Sequence, residues 1–472
     1  MRIPRTTPTE SSPAPALERW LTYLSVAIIS LVAFEALAVA TAMPYVVEDL
    51  NAEKWYALAS GISLAAQLMT TALAGPWCDK KGPNQSLVTG LLLFVAGLIM
   101  ATFAPSIFWL ILGRGIQGLG GGLSIVPLYV LVGAHVPESR QPKVFAAFAA
   151  AWVVPALVGP GIAGLLVEHA HWRWVFGITP ILIIAMVPIL ISTLRSFPDT
   201  KRKPTQQGVW GTAILAIFVG VAIGAVQVLS GQEKVSPMLV VGIVAASVAA
   251  FVLVRPLLPN RTLAARRGLP ATVLLRGLLN GTFLGTEMLL PLMLKNVHGW
   301  SPTEAGVVLT VGSVTWAIGS WFQGRAVSPK VRRQAPMVGA TIQTVGIALT
   351  ILAANADVSG LVVLVGWLLA GLGTGYAYPA MTVHALALTP PERHGKTSSA
   401  LQIADTMGAA ICIAWAGIIY ALTGGLGDQA FAVAIGFMAL LMAFGVWVSF
   451  RVHPTTTQPS VSDGTEPSVV GN

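Results

Sequence analysis

Apolar stretches of about 20 residues, the length of one helical bilayer crossing, recur along almost the whole chain. They lie near residues 20–43, 55–77, 86–104, 107–134, 143–167, 174–194, 209–230, 237–257, 270–294, 303–325, 336–354, 359–388, 396–423 and 429–451. Of the 472 residues 55% are hydrophobic and 10% charged. A water-soluble fold cannot bury that much apolar surface, so the solvent is lipid and the expected structure is fourteen membrane helices.

The charged residues give the orientation. With the N-terminus inside, the inner loops and tails hold 22 lysines and arginines and the outer loops hold 4, among them Lys54, Arg173, Lys234 and Lys295. Such an excess marks the cytoplasmic side, so both termini are expected there and the chain in the plasma membrane. The net charge of +9 is therefore an insertion signal, and no nucleic-acid partner is expected: the run "TKRKP" at 200–204 is a solvated inner loop. Cys78 and Cys412 fall in or beside apolar runs, so no disulfide framework is indicated. Residues 1–19 form a polar tail without a cleavable signal pattern, and 452–472 are expected to be disordered. In "WSPTEAG", Ser301, Pro302 and Glu304 form a capping-box start for a helix near residue 302.

The chain repeats itself. "GLGGGLSIVPL" (118–128) matches "GLGTGYAYPAM" (371–381), and "PESRQPK" (137–143) matches "PERHGK" (391–396), with a common offset of 253 residues. Glu35 has its counterpart in Glu287. Helices 1–6 thus recur as helices 9–14 around two inserted helices, dividing the chain into bundles at 20–194 and 259–451 with the insertion at 195–258. Parallel repeats of this kind build transporters with a site between the halves near the midplane. The glycines lie inside an apolar span and follow no strand, so they read as close-packing positions and not as a phosphate cradle.

Ionisable groups inside spans are rare and face a partner or a cavity. Here they are Glu35, Arg114, Arg276, Glu287 and Asp405, with His384 near an inner helix end, where a solvated or hydrogen-bonded ring is expected. A rise of 1.5 Å per residue puts Glu35 roughly 13 Å and Arg114 roughly 10 Å from the outer face, so the two can meet. Arg276 and Asp405 lie roughly 9 and 14 Å from the inner face and form a second candidate pair. A neighbouring arginine favours an ionised carboxylate and apolar burial disfavours it. Where these oppose each other, a proton can be gained and lost as water access changes, which makes Glu35 the first candidate proton site, with Asp405 and Glu287 as further proton or cation sites. A static ion pair is the competing reading.

These residues resemble the major facilitator superfamily, specifically its fourteen-helix drug:proton antiporter family, over nearly the whole chain. "EALAVATAMP" is similar to the family's helix 1 element, with Glu35 in place of the usual Asp. "GPWCDKKGPN" is similar to the loop between helices 2 and 3 at Gly75, Asp79, Lys80 and Gly82, but Pro83 and Asn84 replace its last two basic residues. "RGIQGLGG" carries the helix 4 pattern with Arg114 and Gln117. "PALVGPGIAG" keeps Gly159, Pro160 and Gly164 of the antiporter pattern in helix 5 and departs from it at Pro155 and Ala163. "HWRWVF" resembles the start of helix 6.

The resemblance implies an all-α integral membrane protein with the major facilitator fold, two six-helix bundles plus two inserted helices. It implies alternating access, efflux of multiple drugs or amphiphiles coupled to protons, no other cofactor, and Asp79 facing the start of helix 13 to hold one state. The expected partners are a small amphiphilic or lipid-like substrate and membrane lipid, the expected state a monomer. Gln117, Trp152, Trp316, Trp367 and Tyr378 are candidate cavity residues. Export of a lipid or lipid-like molecule by the same fold is the alternative. An enzyme is disfavoured, because no metal-ligand cluster or nucleophile–base set is apparent.

Overall fold

The computed structural model describes residues 15–137, 140–197, 209–230, 237–325, 328–390 and 394–453. Among them are fourteen α-helices. The first six are α1 (Pro15–Asp49), α2 (Tyr56–Lys81), α3 (Pro83–Thr102), α4 (Ile107–His135), α5 (Gln141–His169) and α6 (Arg173–Ser196). Then come α7 (Val209–Ser230) and α8 (Pro237–Val254). The last six are α9 (Leu269–His298), α10 (Pro302–Gly324), α11 (Pro329–Thr350), α12 (Val362–Ala387), α13 (His394–Leu422) and α14 (Gln429–Ser449). By length and composition, 11 helices among the described residues can cross a membrane. The expected fourteen crossings are met to that extent. α2, α5 and α7 are the remaining three, and each includes residues whose side chains lie outside the described ones.

Local chemistry sets the helix ends. α2 does not stop near residue 77 but runs to Lys81, carrying the backbone of Asp79 and Lys80 as helix instead of loop. Gly82, at φ 91°, breaks it there, and Pro83 opens α3. At the other side of the molecule Gly299, in the left-handed region at φ 65°, ends α9. The expected capping box then starts α10: Glu304 N donates to Ser301 Oγ at 3.3 Å, and Ser301 N donates to the Glu304 carboxylate at 2.8 Å.

The repeat is visible in the packing. α4 lies against α2 and α3 as α12 lies against α10 and α11. α1 packs on α5 and α6 as α9 packs on α13 and α14. Small residues set the spacing in both groups. A Cβ on Gly120 would run into the backbone of Phe94, and one on its repeat partner Gly373 into that of Gln343. Gly97 faces Gln117 in the same way as Gly346 faces Ala370. Backbones this close give dispersion contacts that lipid cannot match.

The two groups meet through α5 against α10 and α2 against α13. Their contacts gather at the end bearing Asp49 and Arg173. There Gly164 abuts Pro302 and Thr303, Gly306 abuts the Pro160 carbonyl, and Gly417 abuts Ala57. Lys295 pairs with Glu48 while its ammonium lies 4.6 Å from the Tyr45 ring. The Tyr45 hydroxyl donates to the Trp300 carbonyl at 3.3 Å, and that of Tyr56 to the Met288 carbonyl. α7 packs on α2 and, less extensively, on α13, so the inserted hairpin covers the seam between the groups.

Candidate functional site: two buried charge clusters

In the first group four helices converge on Glu35. Its carboxylate is paired with Arg114 Nη1 and accepts from Gln117 Nε2. Arg114 and Gln117 sit three residues apart on α4 and so share a face; Arg114 also donates to Gln117 Oε1 at 2.7 Å. Two further donors of the guanidinium go to α2, to Ser63 Oγ at 2.9 Å and the Ala59 carbonyl at 3.4 Å. The Phe176 ring of α6 lies 6.0 Å away. Glu35, Arg114 and Gln117 are all buried. The carboxylate thus has an engaged countercharge and is buried.

The second cluster joins α9, α12 and α13. Arg276 Nε lies 3.0 and 2.9 Å from the two carboxylate oxygens of Asp405, and Nη2 lies 2.9 Å from Oδ2. Arg276 Nη1 donates to the Thr382 hydroxyl. Tyr378, expected as a cavity wall, donates to Asp405 Oδ2 at 2.6 Å, and its ring lies 4.0 Å from the Arg276 guanidinium. Asn280 Nδ2 donates to the Asp405 backbone carbonyl at 3.1 Å. From Tyr378 a row of rings extends through the second group. Trp316 is 5.5 Å from Tyr378, Phe283 5.1 Å from Trp316, and Trp367 stacks on Phe283 at 4.3 Å.

Both expected pairs are thus in contact. Ser63, Asn280, Phe283 and Thr382 join them without having been singled out; for Ser63, Asn280 and Thr382 a polar residue inside an apolar span was the only signal, and Phe283 gave none. Glu287 is buried and stands apart from both clusters. Trp152 is 39% exposed on α5. Gly159 lies against Phe34 and Leu37 of α1, whereas Pro160 and Gly164 form the α5–α10 contact. Gly75 has open space beside it. The side chains of Asp79 and Lys80 lie outside the described residues. The His384 ring is 3.0 Å from the Val452 carbonyl, the hydrogen-bonded state expected of it.

Two packed six-helix groups, each enclosing an arginine–carboxylate cluster, define a multi-pass membrane transporter fold. The Major Facilitator Superfamily profile matches residues 24–365, and the chain belongs to that family. It is 26% identical over 437 residues to a probable multidrug-efflux transporter of Mycobacterium tuberculosis, covering 87% of this chain and 89% of that one. The multidrug efflux pump SdrM of Staphylococcus aureus is 26% identical over 452 residues, with 90% and 95% covered. Among solved structures, a bacterial homologue of the human lysosomal transporter Spinster, inward-facing and unoccupied, superposes with a TM-score of 0.64 at 13% identity, covering 93% of this chain and 98% of that one. A human organic anion transporter gives 0.61 at 14% identity, with 92% and 100% covered. At such identities these two structures speak to the fold alone.

Proposed function

We propose that the chain is a proton-coupled efflux transporter for multiple drugs or amphiphiles, of the fourteen-helix antiporter branch, working by alternating access. The relatives named for multidrug efflux supply the substrate class. The observation that carries the coupling is the Glu35 cluster: a buried carboxylate at mid-depth in the first helix, held by one arginine and one glutamine. Replacing a buried ion pair by apolar residues is often neutral or stabilising, so a fold that keeps one has a use for its charge. Protonation of Glu35 removes the countercharge from Arg114 and leaves the guanidinium held by Ser63 and the Ala59 carbonyl of α2 and by Gln117 of its own helix. Asp405 is the second proton site in this reading. Bundles 20–194 and 259–451 rock about the seam between them, and the contacts at the end bearing Asp49 and Arg173 are those made when the path to the outside is shut.

The test is transport by Glu35→Gln in liposomes with an imposed pH gradient, reading uptake of a fluorescent cationic dye. The variant is expected to lose at least nine-tenths of gradient-driven uptake and to show a flat pH profile. A pH profile identical to that of the unaltered protein would remove Glu35 from the coupling.

A further inference from the structure

The short segment that follows α14, residues 450–453, ties three basic stretches of the chain together. Gly268 N donates to the Arg451 carbonyl at 2.9 Å, which sets Arg266 and Arg267, just before α9, beside the end of α14. The His453 ring lies 2.8 Å from the Arg333 carbonyl, which brings the start of α11 to the same place. Between these two links the Val452 side chain is buried, and its carbonyl lies 3.0 Å from the His384 ring of α12. α9 runs from this patch to the contact of Lys295 with Glu48, so the patch lies at the end of the molecule opposite Asp49 and Arg173.

The insertion rule accounts for cations on one side of a membrane, but it does not require them to gather. Here they gather without a countercharge. Arg266, Arg267 and Arg333 are exposed and Arg451 is half-buried, and among the described residues none of the four has a carboxylate partner. Arg140, at the same end of the first group, is by contrast paired with Glu18 at 2.9 Å. Like charges held close repel one another, and an anion placed among them relieves the repulsion. The stretch before α9 is also a folded turn. Arg261 (φ 64°) and Ala265 (φ 48°) take left-handed backbone, Thr262 and Ala265 are buried, and the Thr262 hydroxyl donates to the Pro259 carbonyl at 2.6 Å. The positions of Arg266 and Arg267 are therefore fixed before any ligand arrives.

The second feature is aromatic. The Arg451 guanidinium lies 3.9 Å from the Trp447 ring, one turn back on α14, and that ring stacks on Phe444 at 5.2 Å. Both rings are exposed on the outside of the bundle. A tryptophan at a helix end sits at headgroup depth, so Arg451 is held at the level of the lipid phosphates, and a guanidinium pairs with a phosphate through two parallel donors. We propose that Arg266, Arg267, Arg333 and Arg451 bind the phosphodiester headgroup of an anionic membrane lipid, whose glycerol and upper acyl chain lie against Trp447 and Phe444. A free phosphate has the charge but no chain for the rings, so the lipid is the occupant that uses the whole site.

The test is equilibrium binding to the purified full-length protein in neutral detergent micelles. The probe is phosphatidylglycerol with a pyrene on one acyl chain, read by energy transfer from the protein's tryptophans. Phosphatidylcholine with the same label, which has the phosphodiester but no net charge, is the comparison. The unaltered protein is expected to bind phosphatidylglycerol at least tenfold more tightly than phosphatidylcholine. At about fivefold in affinity per arginine near an anionic headgroup, Arg451→Gln is expected to weaken phosphatidylglycerol binding about fivefold. The double variant Arg266→Gln with Arg267→Gln is expected to weaken it at least tenfold, and both variants should leave phosphatidylcholine unchanged. Arg195→Gln, which removes an exposed arginine at the end of α6 outside the patch, should stay within twofold. An unchanged thermal melt shows that the variants are folded. Equal affinity for the two lipids, or no loss in the patch variants, would overturn the proposal. A loss in Arg195→Gln as large as in Arg451→Gln would reduce the patch to diffuse attraction and overturn it too. Displacement of the lipid by inorganic phosphate at constant ionic strength would make this a site for the free anion and overturn the lipid as its occupant.

Discussion

At the scale of single residues the second cluster is held by unequal contacts. Arg276 supplies the only full positive charge within reach of the Asp405 carboxylate among the described contacts, whereas the Tyr378 hydroxyl supplies one hydrogen bond. Removing one partner of a buried ion pair costs about 3–5 kcal/mol, because the other charge is left unpaired. Removing a hydrogen-bond donor to a buried acceptor costs about 1–3 kcal/mol. Arg276→Ala should therefore lower the melting temperature in detergent more than Tyr378→Phe does. The double variant Arg276→Met with Asp405→Leu should be less damaged than Arg276→Ala alone. Equal melting temperatures for Arg276→Ala and Tyr378→Phe would mean that the pair is worth no more than its hydrogen bond. The pairing of Glu35 with Arg114 and of Arg276 with Asp405 was legible in the sequence, because the rise along a helix converts residue number into depth. The parts played by Ser63, Thr382 and Tyr378 were not. Neutral polar residues are common in spans, and the rotation of one helix against another is set by packing that no single segment encodes.

At the scale of elements, the helix 5 motif becomes a contact surface. Gly159 lets α5 approach α1, and the next turn, with Pro160 and Gly164, lies against α10 at Gly306, Pro302 and Thr303. A side chain at residue 306 has no room beside the Pro160 carbonyl, so the α5–α10 contact can form only while that position is glycine. Gly306→Val should hold the outer ends apart. Thr310, whose hydroxyl would lie 3.6 Å from a Cβ on Gly161, marks the same seam one turn deeper. With the buried Cys78 and Cys412 replaced by serine and alanine, a cysteine at position 310 should react with a membrane-impermeant maleimide added outside at least fivefold faster in the Gly306→Val background. An unchanged rate would show that this seam is not the outer gate. The motif was readable as a pattern of small residues, but not the neighbour those residues face. The helix starting at Pro302 was readable in full, because a capping box is closed within four residues. The end of α2 was misplaced, because polar residues 79–81 look like loop until Gly82 is seen to carry the positive φ that breaks the helix.

At the scale of the whole molecule, rocking of two bundles requires the inserted hairpin to choose a side. α7 lies over the seam, with Gly220 against the Met69 side chain of α2, while Val226 of α7 and Ile243 of α8 pack with Ala414 and Ile418 of α13. Trp415 Nε1 of α13 donates to Ser247 Oγ of α8 at 3.2 Å. If the halves move relative to each other, one of these two surfaces must slide. The contact with α2 is the more extensive and is pinned by a small residue against a long one, whereas the contact with α13 consists of smooth aliphatic surface and one exchangeable hydrogen bond. The hairpin is therefore expected to travel with α2. In the protein without native cysteines, a short bifunctional thiol reagent joining cysteines at 69 and 220 should leave dye transport within twofold of the unlinked protein. The same reagent joining cysteines at 247 and 415 should reduce it at least tenfold, with recovery when a cleavable reagent is cut. The opposite pattern would fix the hairpin to α13, and full transport with both links in place would show that the two halves do not move past each other at this seam at all.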